Sequence, residues 1–312
     1  MSNVHSCGLL ELHGGGGEPV DFAMTVSSHG VAALPPSMIS RGGRAFGTTL
    51  DLGTKRAQTV FVRRIPSGHL RVTSLGTVLE PGQQARVLNS LRAMLCLEDN
   101  LVAFYELAAA DRDLSWVLSG AGRMLRSPTV FEDVVKTICT TNCAWSATVR
   151  MVTSLVRCLG KPDSRGRRAF PTPAAMAAAG DSFYRDTSRA GYRGAYLLTL
   201  ARAVAEGSLD LEGLRDPELP DAEVERRLLA IPGVGPYAQA HIMLTSLGRY
   251  GRLVLDSWTV PTWTRLSGQD PSRAAIEARF NRYQEYRGLA FWLYLTRQWV
   301  TEGGRPTPPE QE

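Results

Sequence analysis

The chain has 312 residues, 44% hydrophobic and 21% charged, with a formal net charge of +5. That length accommodates two compact domains, and the composition is that of a soluble globular protein. No stretch reaches the roughly 20 apolar residues a membrane helix needs, and residues 1–12 lack the basic and apolar regions of a signal peptide, so a membrane partner is excluded and a cytoplasmic, nucleoid-associated location expected.

Residues 1–18 read as a flexible lead-in because of the run Gly14–Gly17. An N-terminal α/β domain is expected over 19–115. Its strands are the Val-, Thr- and Phe-rich runs Val20–Val26, Phe46–Leu52, Ala57–Arg63 and His69–Leu75, with a turn at Pro66-Ser67-Gly68. They suit a small antiparallel sheet. The first helix is expected over Gln83–Met94, where Val87, Leu88 and Leu91 recur at helical spacing.

From Trp116 the pattern is helical, and 116–300 reads as a two-lobed all-α domain. Phe131, Val134, Val135 and Ile138 form one apolar stripe, and Trp145, Val149, Val152 and Val156 the next. Gly160–Pro173 is a basic loop, followed by helices over Ala174–Ala179 and Leu197–Ala205. Asp221 is placed to cap a helix over Ala222–Ala230. Residues 301–312, with three prolines and little apolar content, read as a disordered tail. The fold class is therefore α+β and mostly helical.

Charge is uneven. Between Gly122 and Ala205 there are thirteen Arg or Lys against five Asp or Glu, an excess larger than that of the whole chain. A local basic excess is the footprint of a polyanion partner or, more simply, a solvated basic face. Five cysteines, at 7, 96, 139, 143 and 158, show no C-x-x-C pair and none follows Cys158. An iron–sulfur cluster in the C-terminal part is thereby excluded, and no metal site is expected.

The most informative segment is Ile231-Pro232-Gly233-Val234-Gly235-Pro236-Tyr237-Ala238, between two helices. Gly233 and Gly235 lack side chains, so backbone N–H groups at the second helix's start can approach a phosphate. Val234 plugs the groove between the helices, and Pro236 suits the first helical turn. A short apolar run after Gly251 then leads to Asp256-Ser257-Trp258.

This stretch resembles the helix-hairpin-helix (HhH-GPD) DNA glycosylase superfamily, in which a P-G-V-G hairpin precedes a catalytic aspartate. Residues 131–142, ending in Asn142, and Gly191-Tyr192-Arg193-Gly194-Ala195-Tyr196 are similar to the 8-oxoguanine branch, and the N-terminal sheet is shared with the alkylbase (3-methyladenine) branch. The resemblance implies base excision repair on double-stranded DNA with a damaged base. Asn142 would fill the gap left by the extruded base, with a plain loop or cap role as the alternative. Gly233, Val234, Gly235 and Arg193 would bind DNA. Asp256 would be the catalytic carboxylate, stabilising the oxocarbenium-like sugar and orienting water; a helix-capping role is compatible with that.

Bifunctional relatives carry a lysine where this chain has Tyr237. The three lysines are Lys55, Lys136 and Lys161, so none follows residue 161 and a monofunctional enzyme without lysine-dependent lyase activity is expected. Tyr237, His241 and Phe291 are the expected base-pocket residues. His241 either reads a base edge, or protonates a leaving purine, or is structural. Phe291 falls where 8-oxoguanine enzymes carry a base-reading glutamine, which favours stacking on a modified, alkylated purine. The alternatives are 8-oxoguanine specificity and a non-catalytic DNA-binding protein. No cofactor is expected, although the hairpin backbone can take a monovalent cation, and a monomer is the default.

Overall fold

The computed structural model describes residues 4–301, without the side chains of residues 300 and 301. A five-stranded antiparallel sheet forms the N-terminal part: β1 (Val4–Glu11), β2 (Met38–Ile39), β3 (Ala45–Leu50), β4 (Gln58–Arg64) and β5 (His69–Leu75), in the order β1-β5-β4-β3-β2. The expected lead-in is therefore in large part a strand. β1 runs antiparallel to β5 from Val4 opposite Leu75 to Glu11 opposite His69, with a register shift between Ser6 and Gly8. That bulge breaks the alternation that marks a strand, and the partner strand lies about sixty to seventy residues away, so local pattern does not reveal it.

The stretch expected as a first strand, Val20–Val26, instead carries the short helix α1 (Phe22–Val26). Asp21 caps it, its Oδ1 accepting from Met24 N–H at 2.9 Å. Helix α2 (Pro81–Met94) starts two residues before the expected point. Pro81 occupies its first turn, and Glu80 and Gln83 form a reciprocal capping box. α3 (Val102–Ala109) was not anticipated.

The helical region contains α4 (Val130–Thr140), α5 (Trp145–Leu159), α6 (Pro173–Ala178), α7 (Gly180–Ser182), α8 (Arg193–Ala205), α9 (Asp221–Leu229), α10 (Pro236–Thr245), α11 (Thr259–Ser267), α12 (Arg273–Phe280) and α13 (Arg287–Thr301). The expected cap at Asp221 does not form: its carboxylate accepts from Arg249 Nη1 at 2.6 Å, and Pro220 precedes the helix. Thr301 closes α13, and the rest of the expected tail lies outside the described residues.

Three apolar cores result. One lies under the sheet and α2, from Cys7 to Leu97, with Leu125 added. A second joins residues 101–124 to 240–295. The third runs from Val130 to Leu247 and takes in Val31 and Leu34 from the N-terminal part. The expected boundary at 115/116 therefore cuts through a lobe, because α3 packs with α10 and the C-terminal helices rather than with the sheet. The excursion of Val31 and Leu34 into the helical core brings the neighbouring Gly30 to the interlobe cleft and His29 against His241 behind its wall.

Much of the basic excess between 122 and 205 is internal. Arg123 pairs with Glu18 at 2.5 Å, Arg126 with Asp99 at 2.6 Å and Lys136 with Glu132 at 2.6 Å. The outward-facing members include Arg150, Arg157, Arg165, Arg185, Arg189 and Arg202. Three buried cations, Arg123, Lys136 and Arg193, together with the part-buried Arg126, thus serve packing and leave a smaller solvated set than the count suggests.

Candidate active site

The hairpin forms as its sequence requires. Ile231 N–H donates to Leu228 O at 3.1 Å, ending α9, and Val234 N–H donates to Ile231 O at 3.0 Å, closing the turn. Gly233 has φ +90°, and a Cβ there would stand 2.7 Å from the Tyr196 ring. Both the backbone angle and the close approach demand glycine. Val234 is buried in the helical core, as expected. Gly235 is exposed at the N-cap of α10 with Pro236 in the first turn, and the N–H groups of Gly233 and Gly235 find no acceptor among the described residues. Two amides at a helix start make an anion-binding surface.

The segment after the hairpin is pinned so that Asp256 reaches the cleft. Arg249 spans Asp221 and Asp216 O, Arg287 Nε donates to Gly251 O at 2.7 Å, and Gly288 N–H donates to Tyr250 O at 2.7 Å. Asp256 Oδ1 then accepts from Trp258 N–H at 2.9 Å and Thr259 N–H at 2.7 Å, while its own N–H donates to Thr259 Oγ1 at 2.8 Å. The capping role expected beside catalysis is thus present at the start of α11, and Oδ2 takes no hydrogen bond from the described residues.

Asp256 lines a cleft of about 970 Å³ between the lobes. Of the expected site residues, Asn142, Gly233, Val234, Gly235, Tyr237, His241 and Asp256 all line it, although they come from three separate segments. Phe291 does not. It is fully buried in the C-terminal core, its ring 5.4 Å from that of Phe280. Its neighbour Trp292 faces the cleft instead, with Nε1 donating to Ser28 O at 2.9 Å. One residue along a helix turns a side chain through about 100°, so a one-position error in register exchanges core for pocket.

Arg193 also departs from expectation. It is buried, and its guanidinium donates to Thr141 O and, at 2.8 Å, to Asn142 O. It therefore fastens the loop after α4 rather than facing a phosphate. Asn142 at the tip has φ +45°, a left-handed angle that asparagine tolerates, and its exposed side chain lies 3.5 Å from Tyr192 Oη. Tyr192 is half exposed, with Arg193 over its ring at 4.5 Å.

The cleft wall is aromatic. Tyr237 stacks on His241 with centroids 5.8 Å apart, and Trp292 meets His241 edge-on at 5.9 Å. Trp258 lies between Trp292 at 5.7 Å and Trp299 at 5.2 Å. The sequence had marked the aromatic content of α13 without separating its two faces. Burial pushes the Tyr237 phenol up to about 12, with the Asp256 charge adding to it, so the phenol stays protonated. Burial drives His241 down to about 3, with His29 as a second cause, so its imidazole is neutral.

Neither ring nitrogen of His241 has a hydrogen-bond partner, and neither does His29 Nδ1. Leaving a buried polar atom unpaired costs about 1–3 kcal/mol, and these three lie close together beside the cleft. No lysine lines the cleft. Lys161 is held by Asp51 at 2.7 Å in the N-terminal part, and Lys136 is in its buried pair. Among the described residues no cluster of His, Cys, Asp and Glu could hold a metal ion, and no helix is long and apolar enough to cross a membrane.

The fold is shared with solved DNA glycosylases. The chain is similar to a 3-methyladenine DNA glycosylase from Archaeoglobus fulgidus, at 20% identity over 94% of this chain and 99% of that one, with a TM-score of 0.70. An 8-oxoguanine glycosylase/lyase from Clostridium acetobutylicum, in its apo form, matches at 20% identity over 83% of this chain and 87% of that one, with a TM-score of 0.65. In sequence, a Bacillus subtilis (strain 168) protein provisionally named DNA-3-methyladenine glycosylase YfjP is 29% identical over 80 residues. That match spans about a quarter of each, 26% of this chain and 27% of the relative. No family model matches the chain.

Proposed function

We propose that this chain is a monofunctional DNA glycosylase of base excision repair, acting on double-stranded DNA that carries a modified purine. The observation that carries the reading is Asp256. Its Oδ1 is fixed by two backbone amides and its Oδ2 is unpaired, across a cleft walled by Tyr237, Trp258 and Trp292.

The damaged nucleotide leaves the stack and its base enters the cleft. As the N-glycosidic bond breaks, its electron pair goes to the base nitrogen and positive charge grows on the sugar. The Asp256 carboxylate stabilises that charge and accepts a proton from the attacking water, leaving an abasic site. The free amides of Gly233 and Gly235 hold a backbone phosphate, and Asn142 with Tyr192 occupies the gap in the duplex. This chemistry uses a carboxylate and water and calls on no cofactor. The cleft has no lysine to attack the sugar, which supports hydrolysis without strand cleavage.

The aromatic wall and the neutral His241 favour an alkylated purine. A flat, electron-poor or cationic base stacks well on such rings and meets no positive charge at His241. The test is single-turnover base release from duplexes carrying 7-methylguanine, 3-methyladenine, hypoxanthine, 1,N6-ethenoadenine or 8-oxoguanine, with and without alkali. Release with strand cleavage only after alkali is the expected result. Asp256→Asn should lower the rate by about 10²–10³-fold while leaving DNA affinity within a few-fold. Unchanged release would remove Asp256 from the mechanism, and tight DNA binding with no release from any lesion would make the chain a binding protein.

A further inference from the structure

His29 comes from the N-terminal part, 212 positions before His241, and the two imidazoles meet edge to face at 5.9 Å and 83°. His29 Nε2 lies 2.8 Å from Leu125 O. A carbonyl oxygen only accepts, so Nε2 carries the proton. Burial lowers the basicity of this ring too, so it is neutral and Nδ1 holds a bare lone pair. That lone pair has no partner, and the charged groups whose fields reach His29 are already committed. Lys136 is bound by Glu132 and Ser127, and Asp133 by Ser127 N–H and Ser246. The other unpartnered polar side chain at this spot is His241, whose own two nitrogens are unpaired at the end of the cleft.

We propose that His29 is a positioning residue of the base pocket: its Nδ1 accepts the ring N–H of His241, so that His241 turns a lone pair to the cleft and the pocket selects bases whose edge carries an N–H donor. This rests on the reading of the cleft as a base pocket. At the present centroid separation of 5.9 Å the two rings are not bonded, and a turn of the His241 ring together with a shift of roughly half an ångström or more toward His29 is what makes the bond. Neutral imidazole has one N–H and one lone pair, so occupying the N–H at His29 decides what the other nitrogen offers. Purines with an amino group or a ring N–H, such as 3-methyladenine and 7-methylguanine, match a lone pair. 1,N6-Ethenoadenine, which has no N–H on the corresponding edge, does not.

The tautomer is measured directly by long-range ¹H–¹⁵N correlation of histidine-labelled full-length protein. In the wild type His29 should be the Nε2–H form and His241 a single tautomer. In His29→Phe, which keeps a ring of similar size, His241 should become a mixture. In His29→Gln, whose amide can donate to Leu125 O and accept from His241, it should return to one form. The wild type should also prefer 3-methyladenine over 1,N6-ethenoadenine by at least about tenfold, and His29→Phe should lose most of that preference. The same His241 tautomer in wild type and His29→Phe would overturn the proposal, as would an unchanged preference in a folded variant. If the wild type released no base at all, the glycosylase reading would fall, while the tautomer comparison would still decide whether His29 governs His241.

Discussion

The two sides of the cleft are built by different means. The hairpin side is made by Gly233, Gly235 and Asp256, with the turn and the Asp256 carboxylate set by hydrogen bonds to neighbours a few residues away. The base-pocket side is collected from His29, Tyr237, His241, Trp258, Trp292 and Trp299, and is set by ring packing across the sheet domain and both lobes. A local hydrogen-bond pattern is readable from residue types, because glycine, proline and aspartate act through their own backbones. A packed wall is not readable in that way, because, the Tyr237–His241 stack within α10 apart, its rings are placed by residues remote in sequence. Under the proposed function the first side would supply what every substrate needs, a phosphate grip and a carboxylate. Under the proposed function the second can vary without disturbing the first, and it is where lesion preference would reside.

The sharpest test of that division is the adjacent pair Phe291 and Trp292. Truncating Phe291 to Ala should cost about 3–5 kcal/mol, because a fully buried ring leaves a cavity in the C-terminal core. Where the variant remains folded, as in cool conditions, its lesion preference should match the wild type. Trp292→Ala should be comparably destabilising and should also change the ranking of lesions, since it removes a cleft wall and the bond to Ser28 O. Denaturant unfolding and the excision panel on both variants provide the comparison. A shifted ranking in Phe291→Ala with none in Trp292→Ala would return the pocket role to Phe291.

A smaller effect is expected on the hairpin side. Gly233→Ala places a Cβ against the Tyr196 ring in a backbone conformation that L-residues avoid, at a cost of about 1–3 kcal/mol. DNA affinity should fall for every lesion by a similar factor, with the ranking unchanged, in salt-dependent binding measurements. A change of ranking would mean that the hairpin takes part in reading the base.

The legibility of the sequence follows the same line. Strand β5 could be read from its own residues and the hairpin turn from its glycines and proline, whereas Asp256 and Asn142 are singled out through the family resemblance, and the structure brings both to the cleft. Strand β1 could not, since a bulge at Gly8 hides its period and its partner is distant. Arg193 was legible as important but not in its role: an arginine in a basic stretch reads as a phosphate ligand until its guanidinium is seen on Thr141 O and Asn142 O. Phe291 was one residue from the right face of α13. His29 carried no signal, since a lone histidine in a loop becomes meaningful only when Val31 and Leu34 enter the helical core and draw it against His241.

The smallest expected effect concerns pH, and it separates a reading histidine from a proton-donating one. With its imidazole held down at about 3, His241 carries no proton to give at neutral pH, so the excision rate should show no limb near the ordinary histidine value of about 6.5. The same depression makes a stability prediction of definite sign. Below about 6.5 the unfolded chain binds a proton at this residue that the folded chain refuses until about 3, so acid favours unfolding. The contribution is complete above about 6.5 and declines as pH falls toward about 3. Thermal unfolding between about pH 7 and about pH 5 should therefore lower the Tm of the wild type more than that of His241→Phe. His29, depressed in the same direction, leaves part of the slope in that variant. An excision limb near 6.5 that disappears in His241→Phe would instead make His241 the acid that protonates the leaving base, and would move a catalytic group from the hairpin side of the cleft to the base-pocket side.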